Sequence, residues 1–190
     1  KEVIRTSADD AIGYIKKTMS GDVMNIKKIR VDKEGAGMGW GAVYAQYLES
    51  MDQISGQGNG LSVSRQLYKG DEALNESAPL KVGDKITVRL TVKADRDMDF
   101  VQIKDDRAAC MEPLQAVSGF CWSNGLGYYQ ATKDASTQFF IDQMRKGTYV
   151  IEYQVYVNRT GEYQAGIATV QSAYAPEFGG HTGGYRVMVE

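Results

Sequence analysis

Leucine is scarce in this chain, with 8 residues against 27 Val plus Ile among 190. That ratio argues against a helical bundle, because β-branched side chains are stiff and pack well on a pleated sheet. Proline is rarer still, at 3, which excludes a proline-rich linker and a collagen. No apolar run approaches the ~20 residues of a membrane-spanning helix. Twenty-two Lys and Arg against 24 Asp and Glu leave a net charge of −2, so there is no basic surplus for binding nucleic acid. The chain starts at Lys1, with no initiator Met, apolar signal segment or lipid-anchor motif. It therefore reads as a processed product or an excised piece of something longer.

Metal and nucleophile chemistry find little material. Cys110 and Cys121 are the only cysteines. They suit either one disulfide between neighbouring strands or two small buried thiols, and the spacing does not choose. Neither arrangement makes a zinc site, which wants three or four N/S ligands. His181 is the single His, set in Gly179-Gly180-His181-Thr182-Gly183-Gly184. It reads as part of a flexible tip, a poor mount for a catalytic base. Asp95, Asp97 and Asp99 alternate like the start of a calcium loop, but Phe100 occupies the position of the turn Gly and no Glu follows near the twelfth place. They read as a solvated turn, beside a second acidic cluster at Asp105-Asp106-Arg107. Gly35-Ala36-Gly37-Met38-Gly39 reads as a turn, since no phosphate-loop or dinucleotide fingerprint surrounds it. No cofactor is expected.

What is present is alternation. Glycine, 21 of 190, exceeds the usual ~7% and supplies turns. Asp9 to Thr18 fits a short helix capped by Ser7 or a strand equally well. Val23 to Val31 has weak periodicity. Gly41 to Leu48 predicts a strand apolar on both faces. Ser55 to Gly60 is the most linker-like stretch and is placed as the main boundary. Beyond it the pattern sharpens. Leu61, Val63, Arg65 and Leu67 share one parity; Ile86, Val88, Leu90 and Val92 form the clearest amphipathic strand. Phe100 to Lys104 alternates as well. Tyr149, Ile151, Tyr153, Val155 and Val157 share a face, and a turn at Arg159 to Glu162 predicts a hairpin with Tyr163 to Ser172. Gly147, between Lys146 and Thr148, is read as giving a turn its backbone freedom. Val187 and Val189 close the chain in a last strand. Asn75-Glu76-Ser77 and Asn158-Arg159-Thr160 are formal glycosylation sequons, relevant only in a eukaryotic secretory host.

Turns every ten to fifteen residues and no long helical stripe define the fold class. It is all-β: an immunoglobulin-like antiparallel β-sandwich over 57–190, with a smaller β-rich segment over 1–56 read as the end of a preceding domain.

Residues 80–184 resemble a known family. The carriers are Leu80-Lys81-Val82-Gly83-Asp84-Lys85-Ile86-Thr87-Val88, Asp95 to Val101, and Asp105 to Pro113. The most specific stretch is Phe139-Phe140-Ile141-Asp142-Gln143-Met144-Arg145-Lys146-Gly147-Thr148-Tyr149-Val150-Ile151-Glu152-Tyr153. Thr160-Gly161-Glu162-Tyr163 and Tyr174-Ala175-Pro176-Glu177-Phe178 follow in order. Together they resemble the C-terminal domain of bacterial α2-macroglobulin-family proteins. Gly13 to Thr18 and Trp40 to Tyr44 resemble, less specifically, the β-rich segment that leads into that domain.

The resemblance implies a macroglobulin-like sandwich in an extracytoplasmic protease trap of the cell envelope. Its partners would be sibling domains of the parent chain and the proteases that the parent encloses, with no nucleic acid and no membrane span in this piece. Cys110-Met111-Glu112 resembles the start of the family's Cys-x-Glu-Gln thioester, but Pro113 stands where Gln is required. A thioester needs that Gln carbonyl, so Cys110 is not a thioester cysteine. The family's bait and thioester elements would lie outside these residues. A generic adhesion or carbohydrate-binding sandwich is the other reading, with Trp40, Trp122, Tyr128 and Tyr129 as candidate platform members. An enzyme is disfavoured by the lack of site residues.

Overall fold

The computed structural model describes residues 16–21, 26–44, 46–75 and 78–190. The chain forms two compact units, Lys1–Gln46 and Tyr47–Glu190. The described residues of the first unit contain no helix and no strand. Arg30 pairs with Asp32 at 2.9 Å, and the Lys33 ammonium donates to the carbonyls of Gly35 and Ala36. Gly35 and Gly37, at φ 95° and 98°, make the turn read there. The strand expected over Gly41 to Leu48 is not formed among its described residues. Its side-chain pattern is right, but a strand exists only where a neighbour takes up its backbone groups, and no described strand lies beside it. Residues 9–15 of the Asp9 to Thr18 segment lie outside the described residues, as does the start of Val23 to Val31; the described remainder of each is neither helix nor strand.

The described residues of the second unit form fourteen strands. They are β1 (Gln57–Asn59), β2 (Leu61–Lys69), β3 (Glu72–Ala73), β4 (Lys85–Ala94), β5 (Met98–Asp106), β6 (Met111–Pro113) and β7 (Gly119–Ser123). There follow β8 (Leu126–Thr132), β9 (Ser136–Met144), β10 (Gly147–Val157), β11 (Gly161–Ala165), β12 (Ala168–Ser172), β13 (Gly179–His181) and β14 (Tyr185–Val189). One sheet runs β6-β10-β4-β2-β1-β13-β12-β5-β9-β8-β7, with β3 beside the end of β2; β11 and β14 form a separate ribbon. The long strands pair antiparallel throughout, as in β10–β4 and β5–β9.

The sheet doubles over at β1 and β13, so that β6-β10-β4-β2 faces β12-β5-β9-β8-β7. Alternation explains the core between them. Ile86, Val88, Leu90 and Val92 of β4, with Ile151, Tyr153, Val155 and Val157 of β10, point inward. They meet Val101 and Ile103 of β5, Phe139 and Ile141 of β9 and Val170 of β12. The Phe139 and Tyr153 rings touch across the gap, centroids 5.9 Å apart. Each such side chain contributes roughly 1.5–3 kcal/mol by leaving water, and a dozen of them set the pairing register.

Three readings of the sequence change here. The glycine-rich stretches Ser55 to Gly60 and Gly179 to Gly184 are neither linker nor flexible tip: they supply β1 and β13, which pair with each other. Their glycines are needed for close packing. A Cβ on Gly180 would lie 2.7 Å from the Leu61 carbonyl oxygen and 2.8 Å from that of Gln57. Composition suggested mobility; sterics demand the same residue for contact. The expected hairpin between Tyr149–Val157 and Tyr163–Ser172 is also absent. β10 pairs with β4 and β6, β11 with β14, and β12 with β5 and β13. Gly147, finally, has no positive φ, and a Cβ there would make only ordinary contacts at 3.6 Å with Tyr149. The turn before it is held instead by Asp97, whose carboxylate accepts the Lys146 backbone N–H at 2.7 Å.

Candidate functional site

The buried charges come first, because they are where chemistry would be sought. Arg65 of β2 and Asp105 of β5 meet across the two layers at 2.5 Å, both almost fully buried. Arg65 also donates to the Gly166 carbonyl and lies over the Tyr185 ring, 4.7 Å from its centroid. The Tyr153 hydroxyl donates to the other Asp105 oxygen at 2.7 Å. Burial pushes the Asp105 carboxyl up, while Arg65 and the Tyr153 hydrogen bond pull it back. Burial likewise opposes the Arg65 charge, but Asp105 outweighs it and holds the guanidinium protonated. Burial, then Asp105, pushes the Tyr153 phenol well above its usual range. Both carboxylate oxygens are engaged and no solvent reaches them, so the cluster is a pin through the sandwich. Asp105, read from sequence as part of an exposed acidic cluster, is its centre.

The outward surfaces differ. On the β10-β4-β2 layer, Arg89 faces Glu152 across the strands at 2.5 Å and lies over the Tyr68 ring at 4.2 Å. Thr87, Thr91 and Gln154 share that surface by register. The other layer carries rings. Residues opposite one another in a ladder share a face. The register makes one row of Phe120 (β7), Tyr129 (β8), Phe140 (β9), Gln102 (β5) and Gln171 (β12). Phe120 and Tyr129 meet edge-on, with centroids 5.0 Å apart and planes at 73°. Trp122, two residues along β7, lays its ring over Gly127, where a Cβ would come within 2.9 Å of it. Phe120 is 85% exposed and Trp122 77%. Rings left this open bury little of their surface inside their own domain.

A notch of about 320 Å³ lies at one end of this layer, between the β4–β5 turn and the β12–β13 loop. Its walls include Arg96, Asp97, Asp99, Phe100, Tyr174 and Phe178. Phe100 and Tyr174 meet edge-on at 5.2 Å. Arg96 lies over Phe178 at 4.5 Å and is held by both oxygens of Asp95, at 2.8 and 3.1 Å. That hydrogen bond holds the Asp95 carboxyl below its ordinary range. Asp97 and Asp99 thus border an aromatic notch, with Asp95 behind Arg96, and no group of His, Cys, Asp and Glu arranged for a metal occurs among the described residues.

The other residues named from sequence are dispersed. Cys110 and Cys121 are both free thiols; Cys110 is fully buried, and burial pushes its thiol up. Met111, Glu112 and Pro113 form β6, with Glu112 accepting from Asn158 at 3.0 Å. His181 is on β13, its Nδ1 3.0 Å from the Thr182 carbonyl oxygen. Of the aromatic platform members, Tyr128 points into the core and packs on Phe139, Trp40 belongs to the first unit, and only Trp122 and Tyr129 share a face. Phe120 and Phe140 were missed because β7, β8 and β9 were not recognised as strands. The signal was Asn124-Gly125, whose positive φ values of 50° and 78° close the β7–β8 hairpin.

Comparison with known proteins now bears on this arrangement. The family described as Bacterial Alpha-2-macroglobulin MG10 domain matches residues 60–177. Among solved structures, Escherichia coli alpha-2-macroglobulin spanning domain MG7 to the C-terminus is similar, at TM-score 0.60 and 17% identity, over 71% of this chain and 24% of that one. The same protein activated by porcine elastase gives TM-score 0.62 and 16% identity, over 72% and 14%. Salmonella alpha-2-macroglobulin reacted with methylamine gives 0.59 and 20%, over 71% and 10%. These likenesses concern the fold. A curated relative, Circularly permutated Ras protein 2 of Dictyostelium discoideum, is 28% identical over 142 residues, 69% of this chain and 4% of that protein. The chain thus spans a small part of the proteins it matches.

Proposed function

Because this chain belongs to the bacterial alpha-2-macroglobulin MG10 domain family, we propose that it serves as a non-catalytic C-terminal module of a protease trap of the cell envelope. Its part is to pack on sibling domains of the parent chain and to support the rearrangement that follows cleavage of the parent by a protease. The observation that carries this reading is the aromatic row on one outer face. Phe120, Trp122, Tyr129 and Phe140 stand on a single layer, where a neighbouring domain would bury them. Aromatic side chains are the residues that anchor protein interfaces. The buried Arg65–Asp105–Tyr153 pin supports the non-catalytic part, since it has no access to substrate.

The test is made in the parent protein. Replacing Phe120 and Trp122 together by Ser should leave the domain folded but loosen it from its neighbours. Limited proteolysis would then cut at its boundary sooner, and a captured protease would regain activity on large protein substrates. A parent whose boundary resists proteolysis as before and whose trapping is unaltered would overturn the docking role.

A further inference from the structure

We infer that the notch beside Phe100 takes a basic side chain, lysine or arginine, from the polypeptide that docks on the aromatic face; this rests on the docking reading above. Phe100 lies on β5 two residues before Gln102, which sits opposite Phe140, so the notch opens on the strand where the aromatic row ends.

Three observations select a cation. The first is the presentation of the rings. Phe100 is held at φ 52°, a left-handed conformation that a non-glycine residue within a strand seldom adopts. Its ring is 49% exposed and that of Tyr174 79%, and their edge-on contact leaves ring faces uncovered. An aromatic face attracts a cation through its quadrupole. The second is the balance of charge. Arg96 spends its charge on Asp95 and is stacked on Phe178. Asp97 and Asp99 are left on the wall of the notch. The nearest ion-pair partner of Asp97 is Arg145, at 3.7 Å and itself largely in water. Asp99 has no ion pair among the described residues. Asp97 is also held by the Lys146 backbone N–H, so Asp99 is the carboxylate that an incoming cation would answer and a neutral alkyl chain would not. The third is shape: a notch of about 320 Å³ open to solvent admits a long side chain from outside but not a folded element.

The experiment titrates the 190-residue chain with Nα-acetyl-arginine methylamide, its lysine counterpart and the neutral norleucine counterpart. The ring signals of Phe100 and Tyr174 are followed by NMR. The basic probes should give saturable shifts, with affinity about tenfold above norleucine. Asp99→Asn should weaken the basic probes alone, and added salt should do the same. Phe100→Gly should abolish the response while keeping or raising the melting temperature, because glycine accepts this φ without strain. Tyr174→Ser, on an exposed side chain, gives a second loss of binding that does not pass through folding. Equal shifts from charged and neutral probes, no shift at all, or a Phe100→Gly variant that binds like the parent sequence would each overturn the inference. The Phe120/Trp122 double variant should titrate normally. If that variant leaves the parent's docking intact while the basic probes still bind, the docking role falls and the notch stands as a site for a basic peptide.

Discussion

The two outward faces of the sandwich rest on strands of similar length and the same alternation, yet they are finished differently. On β10-β4-β2 the outward positions hold mainly threonines, glutamines and the Arg89–Glu152 pair, with Arg89 also stacked on Tyr68 and Tyr156 partly exposed on β10. On β5-β9-β8-β7 they hold Phe140, Tyr129, Phe120 and Trp122. The inner faces do not explain this, because both supply the same aliphatic core. The difference therefore concerns what lies outside the domain. A face finished in charge pairs is at ease in water, whereas a face finished in rings gains by being covered. One layer of this domain is finished as a surface; in the function proposed above, the other is half of an interface.

The strongest way to break that contrast is to remove what both layers share. Asp105→Asn leaves the Arg65 cation buried without its counter-ion and should cost about 3–5 kcal/mol, read by denaturant unfolding. Both faces should lose their signals together. A variant in which the aromatic layer melts while the β10-β4-β2 layer persists would show that the faces are independent units. Replacing both partners by apolar residues of similar volume should recover much of the loss.

Acid offers a smaller and one-sided perturbation. The Lys69 hydrogen bond, foremost, holds the Asp84 carboxyl below its ordinary range, at the start of β4. A lowered folded pKa gives stability that is complete above the unfolded value, about 4, and is lost as the pH falls through the folded one. Asp52, held down by its hydrogen bond from Arg186, behaves likewise. Asp105 runs the other way: its carboxyl is pushed up, so protonation is easier in the fold than in the unfolded chain and offsets part of the loss. As the pH falls below about 4, the Lys69 and Asp84 resonances should move while those of Phe120 and Trp122 stay. Movement of both sets in parallel would erase the distinction.

The smallest effect is the sharpest comparison. Trp122→Ser should change the stability of the isolated chain by no more than about 0.5 kcal/mol, and Arg89→Ala should leave the melt unresolved from the parent's. In the full parent protein only the Trp122 change should matter. Equal indifference there would make the rings ordinary surface.

How much of this was legible depended on which force decided each part. The strands β4 and β10 were plain, because Ile86 to Val92 and Tyr149 to Val157 carry a period-two pattern that burial alone enforces. The tail strand through Val187 and Val189 was plain for the same reason. Pairing was not: β10 lies beside β4 rather than beside its successor, and no local pattern reports a partner some sixty residues away. Ser55 to Gly60 and Gly179 to Gly184 were misread because glycine signals freedom and close contact with the same letter. Asp105 was hidden among Asp106 and Arg107, where charge suggested water, although its parity with Val101 and Ile103 points it inward. The aromatic row was visible in part, through Trp122 and Tyr129. Assembling it needed the β7–β8–β9 register, which Asn124-Gly125 announces only for its first pair.

The narrow join between the layers has a mechanical meaning. Three rungs link β1 to β13: Gln57 to His181, Gly58 to Gly180 and Asn59 to Gly179. The long strands on either side are laddered over eight to ten rungs, as in β4–β10 and β5–β9. A load tending to part the layers would therefore fall on the short glycine seam and the Arg65–Asp105 pin before it reached any long ladder. If the proposed rearrangement loads this domain, the seam is a fuse: it would yield first and leave each half of the sheet whole.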